Sequence, residues 1–202
     1  MSSHLEIELK WALGAADHGR LGERLHAMLG PPRVLSQLNR FFDTRDSRLR
    51  RVGLNVRLRR EGSALLLTCK RRLPPRDGAH CHDEWECQLS PVLWQTLEQP
   101  GLAQRLPLPS HVLAALDGEA LVGLGGFGNE RLEYHHGQEL VCLDRTDFAQ
   151  RIDQELEIET NEPARSHMEW RQRLLGWGIE ASQQGLSKFA RFLALSAPHE
   201  AS

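Results

Sequence analysis

The chain has 202 residues, enough to bury a sizeable core and within the range of a single β-barrel. With 25 Lys and Arg against 27 Asp and Glu, its net charge of −2 gives no whole-surface attraction to nucleic acid or anionic membrane, so any polyanion binding must come from a local cluster. No run approaches the ~20 apolar residues needed to cross a bilayer, and the polar Met1-Ser2-Ser3-His4 start does not read as a signal peptide, so a cytoplasmic location is expected.

Strict alternation predicts a strand over 5–11, with Glu6, Glu8 and Lys10 on one face and Leu5, Ile7, Leu9 and Trp11 on the other. A helix is expected over 16–29, then a Pro31-Pro32 break and a strand over 34–43. A short helical connection through 46–50 leads to strands at 54–60 and 64–71, joined by Arg60-Glu61-Gly62-Ser63, a hairpin-length loop containing glycine. In the first of these, Asn55, Arg57 and Arg59 share a face, with Leu54, Val56 and Leu58 behind them; Thr68 and Lys70 end the second. A loop with Pro74, Pro75 and Gly78 precedes a strand over 81–89, and Ser90-Pro91 opens a helix over 91–99. The Pro- and Gly-rich stretch 100–128 is the least readable, with a short helix placed at 110–117. Strands at 129–136 and 139–147 are joined by His136-Gly137-Gln138. In the strand over 152–160, Asp153, Glu155, Glu157 and Glu159 alternate with Gln154, Leu156 and Ile158. Helices over 163–176 and 186–195 close the series.

Four carboxylates on one strand face, about 6.5 to 7 Å apart, repel one another unless a cation or facing bases neutralise them. Eight strands with short connections suit an α+β fold: a closed or nearly closed eight-stranded antiparallel β-barrel with helices packed outside, a single domain over 1–202. Several strands carry charge on one face, and late helices rich in Leu, Trp and Phe can cover the other. The interior is therefore expected to be a charged, wet tunnel, the setting a hard divalent cation and a phosphate require. The competing reading is a set of strands with one face simply in water. Arg48, Arg50, Arg51, Arg60, Arg71 and Arg72 read as a solvated face or an electrostatic funnel. Trp11, Trp85, Trp94, Trp170 and Trp177 read as packing anchors, and His135-His136 as a strand end. Cys69, Cys81, Cys87 and Cys142 lack C-x-x-C spacing and read as small buried hydrophobes. A zinc set of His80, Cys81, His82 and Cys87 fails because adjacent strand residues face opposite ways.

Glu6-x-Glu8-x-Lys10 resembles the E-x-E-x-K signature of the CYTH superfamily, the triphosphate tunnel metalloenzymes. Phe41-Phe42-Asp43-Thr44 resembles its Tyr-Phe-Asp-Thr, 54–59 its L-x-x-R-x-R and Leu67-Thr68-Cys69-Lys70 its L-T-x-K. Asp83-Glu84-Trp85-Glu86 is similar to its E-x-E, 155–159 to its E-L-E-x-E and Leu186-Ser187-Lys188-Phe189 to its S-K helix. The matches run in family order from residue 4 to about 195, and look most like bacterial inorganic triphosphatases, many of which carry a further helical CHAD domain that these 202 residues lack.

The resemblance implies roles. Glu6, Glu8, Glu157 and Glu159, with Asp144, would hold Mg²⁺ or Mn²⁺, which take oxygen ligands. Lys10, Arg57, Arg59, Lys70, Arg131 and Lys188 would contact the triphosphate, arginine by paired bonds and lysine as a point charge. Lys10, Glu84 and Glu155 are the catalytic candidates; a general base, if there is one, falls among Glu84, Glu155 and Glu157, and Glu84 could also bind metal or orient basic groups. The implied reaction is metal-assisted attack of water on a terminal phosphoryl group, converting inorganic triphosphate into pyrophosphate and orthophosphate. A class IV-type adenylyl cyclase, a thiamine triphosphatase and a polyphosphate-binding module without turnover are the alternatives. The expected partner is inorganic triphosphate or a small molecule bearing one, with no nucleic acid and no membrane; a homodimer is left open.

Overall fold

In the computed structural model, which describes residues 2–97, 99 and 101–196, nine strands and seven helical segments follow one another. They are β1 (Ser2–Leu13), α1 (Ala15–Leu29), β2 (Arg33–Asp43), α2 (Arg48–Arg51), β3 (Leu54–Glu61), β4 (Ala64–Arg76), β5 (Ala79–Leu89) and a 3-10 helix (Pro91–Thr96). Next come α3 (Leu102–Arg105), α4 (Ser110–Leu116), β6 (Val122–His136), β7 (Glu139–Asp147), β8 (Ile152–Glu159), α5 (Pro163–Gly176), β9 (Ala181–Gln183) and α6 (Lys188–Ser196). The sheet order is β5-β4-β3-β2-β6-β7-β8-β1-β9, and β5 also pairs with β1, so eight strands close into an antiparallel β-barrel with β9 added on β1. Closure removes the open edges that would otherwise invite intermolecular pairing. No helix among the described residues is long and apolar enough to cross a membrane.

The turns correct two expectations. Glu61 pairs with Ala64, so the β3–β4 hairpin turns through Gly62-Ser63 alone, with Gly62 at φ 57°. The expected loop over Pro74 and Pro75 is strand: β4 continues to Arg76 and turns through Asp77-Gly78, both at positive φ, the Asp-Gly form of a two-residue hairpin. Neither proline can donate a ladder hydrogen bond, and the register is irregular between Leu73 and Arg76. The helix expected over 91–99 is a 3-10 turn ending at Thr96, and residues 98 and 100 lie outside the described residues, as does Met1.

The chain divides into two compact units, the first holding the chain up to Glu8 and Leu35–Gly126. Its core joins one face of the strands, carrying Phe42, Leu54, Val56, Leu58, Leu65, Leu67 and Cys69, to Leu97, Leu102, Leu106, Leu108, Val112, Leu116 and Leu121. Most of the stretch that resisted reading, residues 102–121, is thus the apolar cover of this sheet, made from leucines set between prolines and glycines together with Val112 and Leu116 on the short helix α4. β6 begins at Val122, earlier than the expected 129; its first residues are glycine-rich, a composition that strand propensity disfavours. At Gly126 a Cβ would stand 1.8 Å from the Asn39 carbonyl oxygen, so the backbones approach to a distance only glycine allows. Asp43 is buried and accepts backbone N–H bonds from Thr44, Leu49 and Arg50 at 2.7, 2.9 and 3.1 Å, while Thr44 Oγ1 accepts one from Arg48 at 2.9 Å; together they close the turn into α2.

In the second unit, Leu9–Val34 and the chain from Phe127 on, α1 buries Leu21 and Leu25 and α5 buries Trp170 and Leu174. Strands β7 and β8 bury Val141, Leu143, Leu156 and Ile158, and Gly22 of α1 lies against Leu143. Glu139 ties α5 to the start of β7. Its carboxylate accepts hydrogen bonds from Ser166 Oγ and from Trp170 Nε1 at 2.9 Å, with His136 Nδ1 at 3.2 Å. Burial would raise the Glu139 carboxyl, but those hydrogen bonds outweigh it and hold the group below its ordinary value.

Two predictions follow from these contacts. Gly126→Ala should destabilise the protein by about 3 kcal/mol in urea denaturation, whereas Gly123→Ala, whose Cβ would meet Phe42 at an ordinary 3.9 Å, should cost far less; equal losses would refute the close-approach argument. A carboxyl depressed in the folded state stabilises above its unfolded pKa and loses that stabilisation as pH falls through the folded value. Glu139→Gln should therefore lower Tm at pH 7, and the gap to wild type should shrink as pH drops below the ordinary 4.5; a gap independent of pH would rule the carboxylate out as its source.

Candidate functional site

Along β1 the charged residues Glu6, Glu8 and Lys10 are as buried as the apolar residues Ile7 and Leu9 between them, all below 9% exposure. That excludes the solvated-face reading. Each unit carries its own cluster of buried charge.

In the first unit the β1–β5 register sets Glu6 opposite His82 and His4 opposite Glu84, and the β4–β5 register sets Lys70 opposite Glu84. Directly opposed residues share a face, so these side chains meet. Lys70 Nζ lies 2.7 and 2.6 Å from the two Glu6 oxygens and 2.6 Å from Glu84 Oε2. Burial would lower the lysine pKa, but Glu6, Glu84 and Glu8 raise it by more, so the ammonium stays charged. Arg57 donates to Thr68 Oγ1 at 3.1 Å, which donates to Glu86 at 3.2 Å; Arg59 donates to Asn39 Oδ1 at 3.0 Å. His82 Nδ1 stands 3.2 Å from Glu6 Oε2 and 3.7 Å from Glu8 Oε1, and the ligand atoms of Glu6, Glu8 and His82 lie within 4.8 Å of one another.

In the second unit the β6–β7–β8 registers place Arg131 opposite Asp144 and Asp144 opposite Glu155. Arg131 grips Asp144 with both arms of its fork, at 2.8 and 2.7 Å, and reaches Glu157 at 2.5 Å. Lys10 pairs with Glu157, and Lys188 pairs with Asp144 at 2.7 Å, Glu157 at 2.9 Å and Glu155. Arg191 binds Glu155 at 2.5 Å and Asp153 at 2.9 Å. Burial would raise the Glu157 carboxyl, yet Lys10, Lys188 and Arg131 hold it well below the usual range; Arg131 and Lys188 likewise lower Asp144. Asp144, Glu155 and Glu157 form a second set whose ligand atoms lie within 4.8 Å of one another. Glu159, half-buried at the end of β8, continues their face, opposite Leu140, outside that set.

Three features went unread in the sequence. Arg191 is buried, although the resemblance implies a role only for Lys188 of this Lys-x-x-Arg pair; one-turn spacing on a helix puts both on one face without telling a buried charge from a surface one. His82 was weighed only with cysteines, while its alternation with Glu84 and Glu86 put it on the acidic face. Asn129 joins Asp144 at 3.2 Å and Thr146 at 2.7 Å, a link that only strand register reveals. Cys69, Cys81 and Cys142 are buried as expected, while Cys87 is only half-buried; burial pushes the Cys69 thiol up to about 12 and raises that of Cys142, so neither of these supplies a thiolate at neutral pH. The arginines read as a solvated face are largely committed: Arg48 and Arg51 pair with Asp46, Arg71 with Asp83, and Arg60 lies over Trp94.

Arg191→Met should destabilise the protein by roughly 3 kcal/mol, because Glu155 and Asp153 would lose a buried cation, while Arg165→Ala on the exposed face of α5 should stay within about 0.5 kcal/mol. Chemical denaturation measures both; a neutral Arg191 variant would show that the buried charge is matched by other means.

Among solved structures, a putative adenylyl cyclase from Hippeastrum, described as revealing a dominant triphosphatase activity, is 27% identical with a TM-score of 0.83, over 94% of this chain and 95% of that one. A putative adenylate cyclase from Bacillus halodurans is 23% identical with a TM-score of 0.73, over 95% and 99%. One from Vibrio parahaemolyticus is 16% identical with a TM-score of 0.59, over 96% and 99%. No curated protein matches the chain. The CYTH domain matches residues 4–193, nearly the whole chain, so this closed barrel, with charged residues buried on its β1, β5 and β8 strands, belongs to the CYTH family.

Proposed function

We propose that the protein is a divalent-metal-dependent hydrolase of inorganic triphosphate, releasing pyrophosphate and orthophosphate. The observation that carries the reading is the first unit's cluster, where the buried carboxylates of Glu6, Glu8 and Glu84 stand beside the fixed ammonium of Lys70. Pure anion capture would be hindered by such acids, whereas a cation-assisted reaction on an anion uses both. The similarity to a protein described as having dominant triphosphatase activity supports the same substrate class.

The residues fit a divalent cation. Two carboxylates and one imidazole nitrogen converge, and Lys70 already rests its positive charge on Glu6. Glu6 and Glu8 are the proposed ligands, with Asp144, Glu157 and Glu159 as the further acidic candidates. When bound, the cation would screen phosphate charge and make water more acidic. Lys70 would exchange Glu6 for a phosphate oxygen, and Arg57 and Arg59, both partly accessible, would bind equatorial oxygens as charge develops. Lys10, Arg131 and Lys188 are the other proposed phosphate contacts, and each would have to trade a carboxylate for a substrate oxygen. Glu157, held deprotonated far below neutral pH, is a poor general base, and Glu155 is bound by Arg191 and Lys188. Glu84, held by the single cation Lys70 at 2.6 Å rather than by two or three, is the remaining candidate.

The test is product analysis with Mg²⁺ or Mn²⁺ and, in separate reactions, triphosphate, ATP, thiamine triphosphate and long-chain polyphosphate. Orthophosphate should appear fastest from triphosphate, and Glu8→Gln and Arg57→Ala should each reduce kcat/KM by about 100-fold or more. Cyclic AMP from ATP would establish the cyclase reading instead, and tight binding without products would establish a binding module.

A further inference from the structure

The first unit's acidic group also holds an imidazole, that of His82. His82 is 9% exposed, and its Nδ1 is buried without a hydrogen bond although Glu6 Oε2 and Glu8 Oε1 stand 3.2 and 3.7 Å away. A buried polar nitrogen left without a hydrogen bond costs roughly 1–3 kcal/mol, so its position calls for a reason. The reason is not local backbone geometry, because β5 pairs regularly with β1 through this stretch, with Glu6 opposite His82 and Ile7 opposite Cys81.

We propose that His82 is a nitrogen ligand of the Glu6–Glu8 cation site and biases it toward Mn²⁺ over Mg²⁺. The inference rests on the metal-dependent reading above and adds a ligand and a selectivity to it. Ligand atoms within 4.8 Å of one another can surround one ion at the roughly 2.0–2.3 Å typical of nitrogen and carboxylate donors. Two carboxylates alone suit any hard cation. An added imidazole favours Mn²⁺ and later first-row ions, since Mg²⁺ takes oxygen ligands and dehydrates reluctantly. Lys70, now on Glu6, is the cation that the metal would displace, and Glu84 at 2.6 Å remains to receive its ammonium.

The competing explanation is an ordinary ion pair between a protonated His82 and the two carboxylates, and the two make different predictions. Mn²⁺-loaded protein without substrate, grown with ¹⁵N-histidine, should show nitrogen hyperfine coupling by pulsed electron paramagnetic resonance. His82→Asn should remove that coupling, weaken Mn²⁺ binding by roughly tenfold or more and change Mg²⁺ binding, read by competition, much less. If His82 is only an ion-pair partner, the wild-type spectrum lacks nitrogen coupling and the variant shifts both ions equally; either result overturns the proposal while leaving the metal reading intact. Failure of the wild-type protein to bind Mn²⁺ or Mg²⁺ at millimolar concentration overturns both. A wild-type spectrum without nitrogen coupling overturns the proposal even if His82→Asn folds poorly, and coupling lost in His80→Asn, at the residue opposite Glu8, would overturn the assignment to His82.

Discussion

Buried charge must be matched within a few ångströms or the fold does not form, and that requirement organises this protein. A carboxylate taken out of water costs several kcal/mol, and β8 takes Glu155 and Glu157 out of water on one strand with Asp153 beside them. The repayment comes from three distant parts of the second unit: Lys10 from β1, Arg131 from β6, and Lys188 and Arg191 from α6. α6 is therefore held by charge as well as by the apolar contacts of Phe192, and its Lys-x-x-Arg spacing supplies two cations to one face.

The two clusters solve the same electrostatic problem with different stiffness. Arg131 holds Asp144 through a bidentate fork, itself buttressed by Asn129 and Thr146, so that carboxylate has little freedom to turn toward anything else. In the first unit the matching cation is a lysine on a flexible stem, bridging Glu6 and Glu84. A lysine moves from carboxylate to phosphate by giving up single point contacts, whereas a forked arginine must break two aligned bonds at once to make the same exchange. The chemistry assigned to Glu6, Glu8 and Lys70 sits where the network is easiest to rearrange.

Periodicity made the strands and both long terminal helices legible: 163–176 matches α5, and the alternation at 5–11, 54–60 and 139–147 lies within β1, β3 and β7. What escaped had no period to read. Leu102, Leu106 and Leu108 cover a sheet from short segments broken by Pro and Gly, and their burial is a property of the surface they land on, whereas Val112 and Leu116, one turn apart, lie on α4, where a short helix was expected. β9 is three residues long and exists because Trp11, Ala12 and Leu13 offer it a ladder. Within the site, alternation exposed Glu6, Glu8, Arg57, Arg59 and the β8 acids, because each lies on a strand whose other face is apolar. His82 and Asn129 depend on which residue stands opposite across a strand pair, and register is written in the partner strand and the turn rather than in the residue itself.

A motif shared across a family need not be chemistry throughout. Asp43 and Thr44 fall in the stretch resembling Tyr-Phe-Asp-Thr, yet both spend their oxygens on backbone N–H groups from Thr44 to Arg50, with Ser47 at φ 59° in the turn they close. Three accepted N–H bonds commit both oxygens of the Asp43 carboxylate to the turn, so its place in the motif is explained by backbone structure. That turn presents Leu49, fully buried, to the same apolar cover that seals the outer face of β3 and β4. Alternation along β3 and β4 puts Arg57 and Lys70 on the face opposite that cover, so the turn bears on the proposed chemistry only by sealing the other side of the sheet.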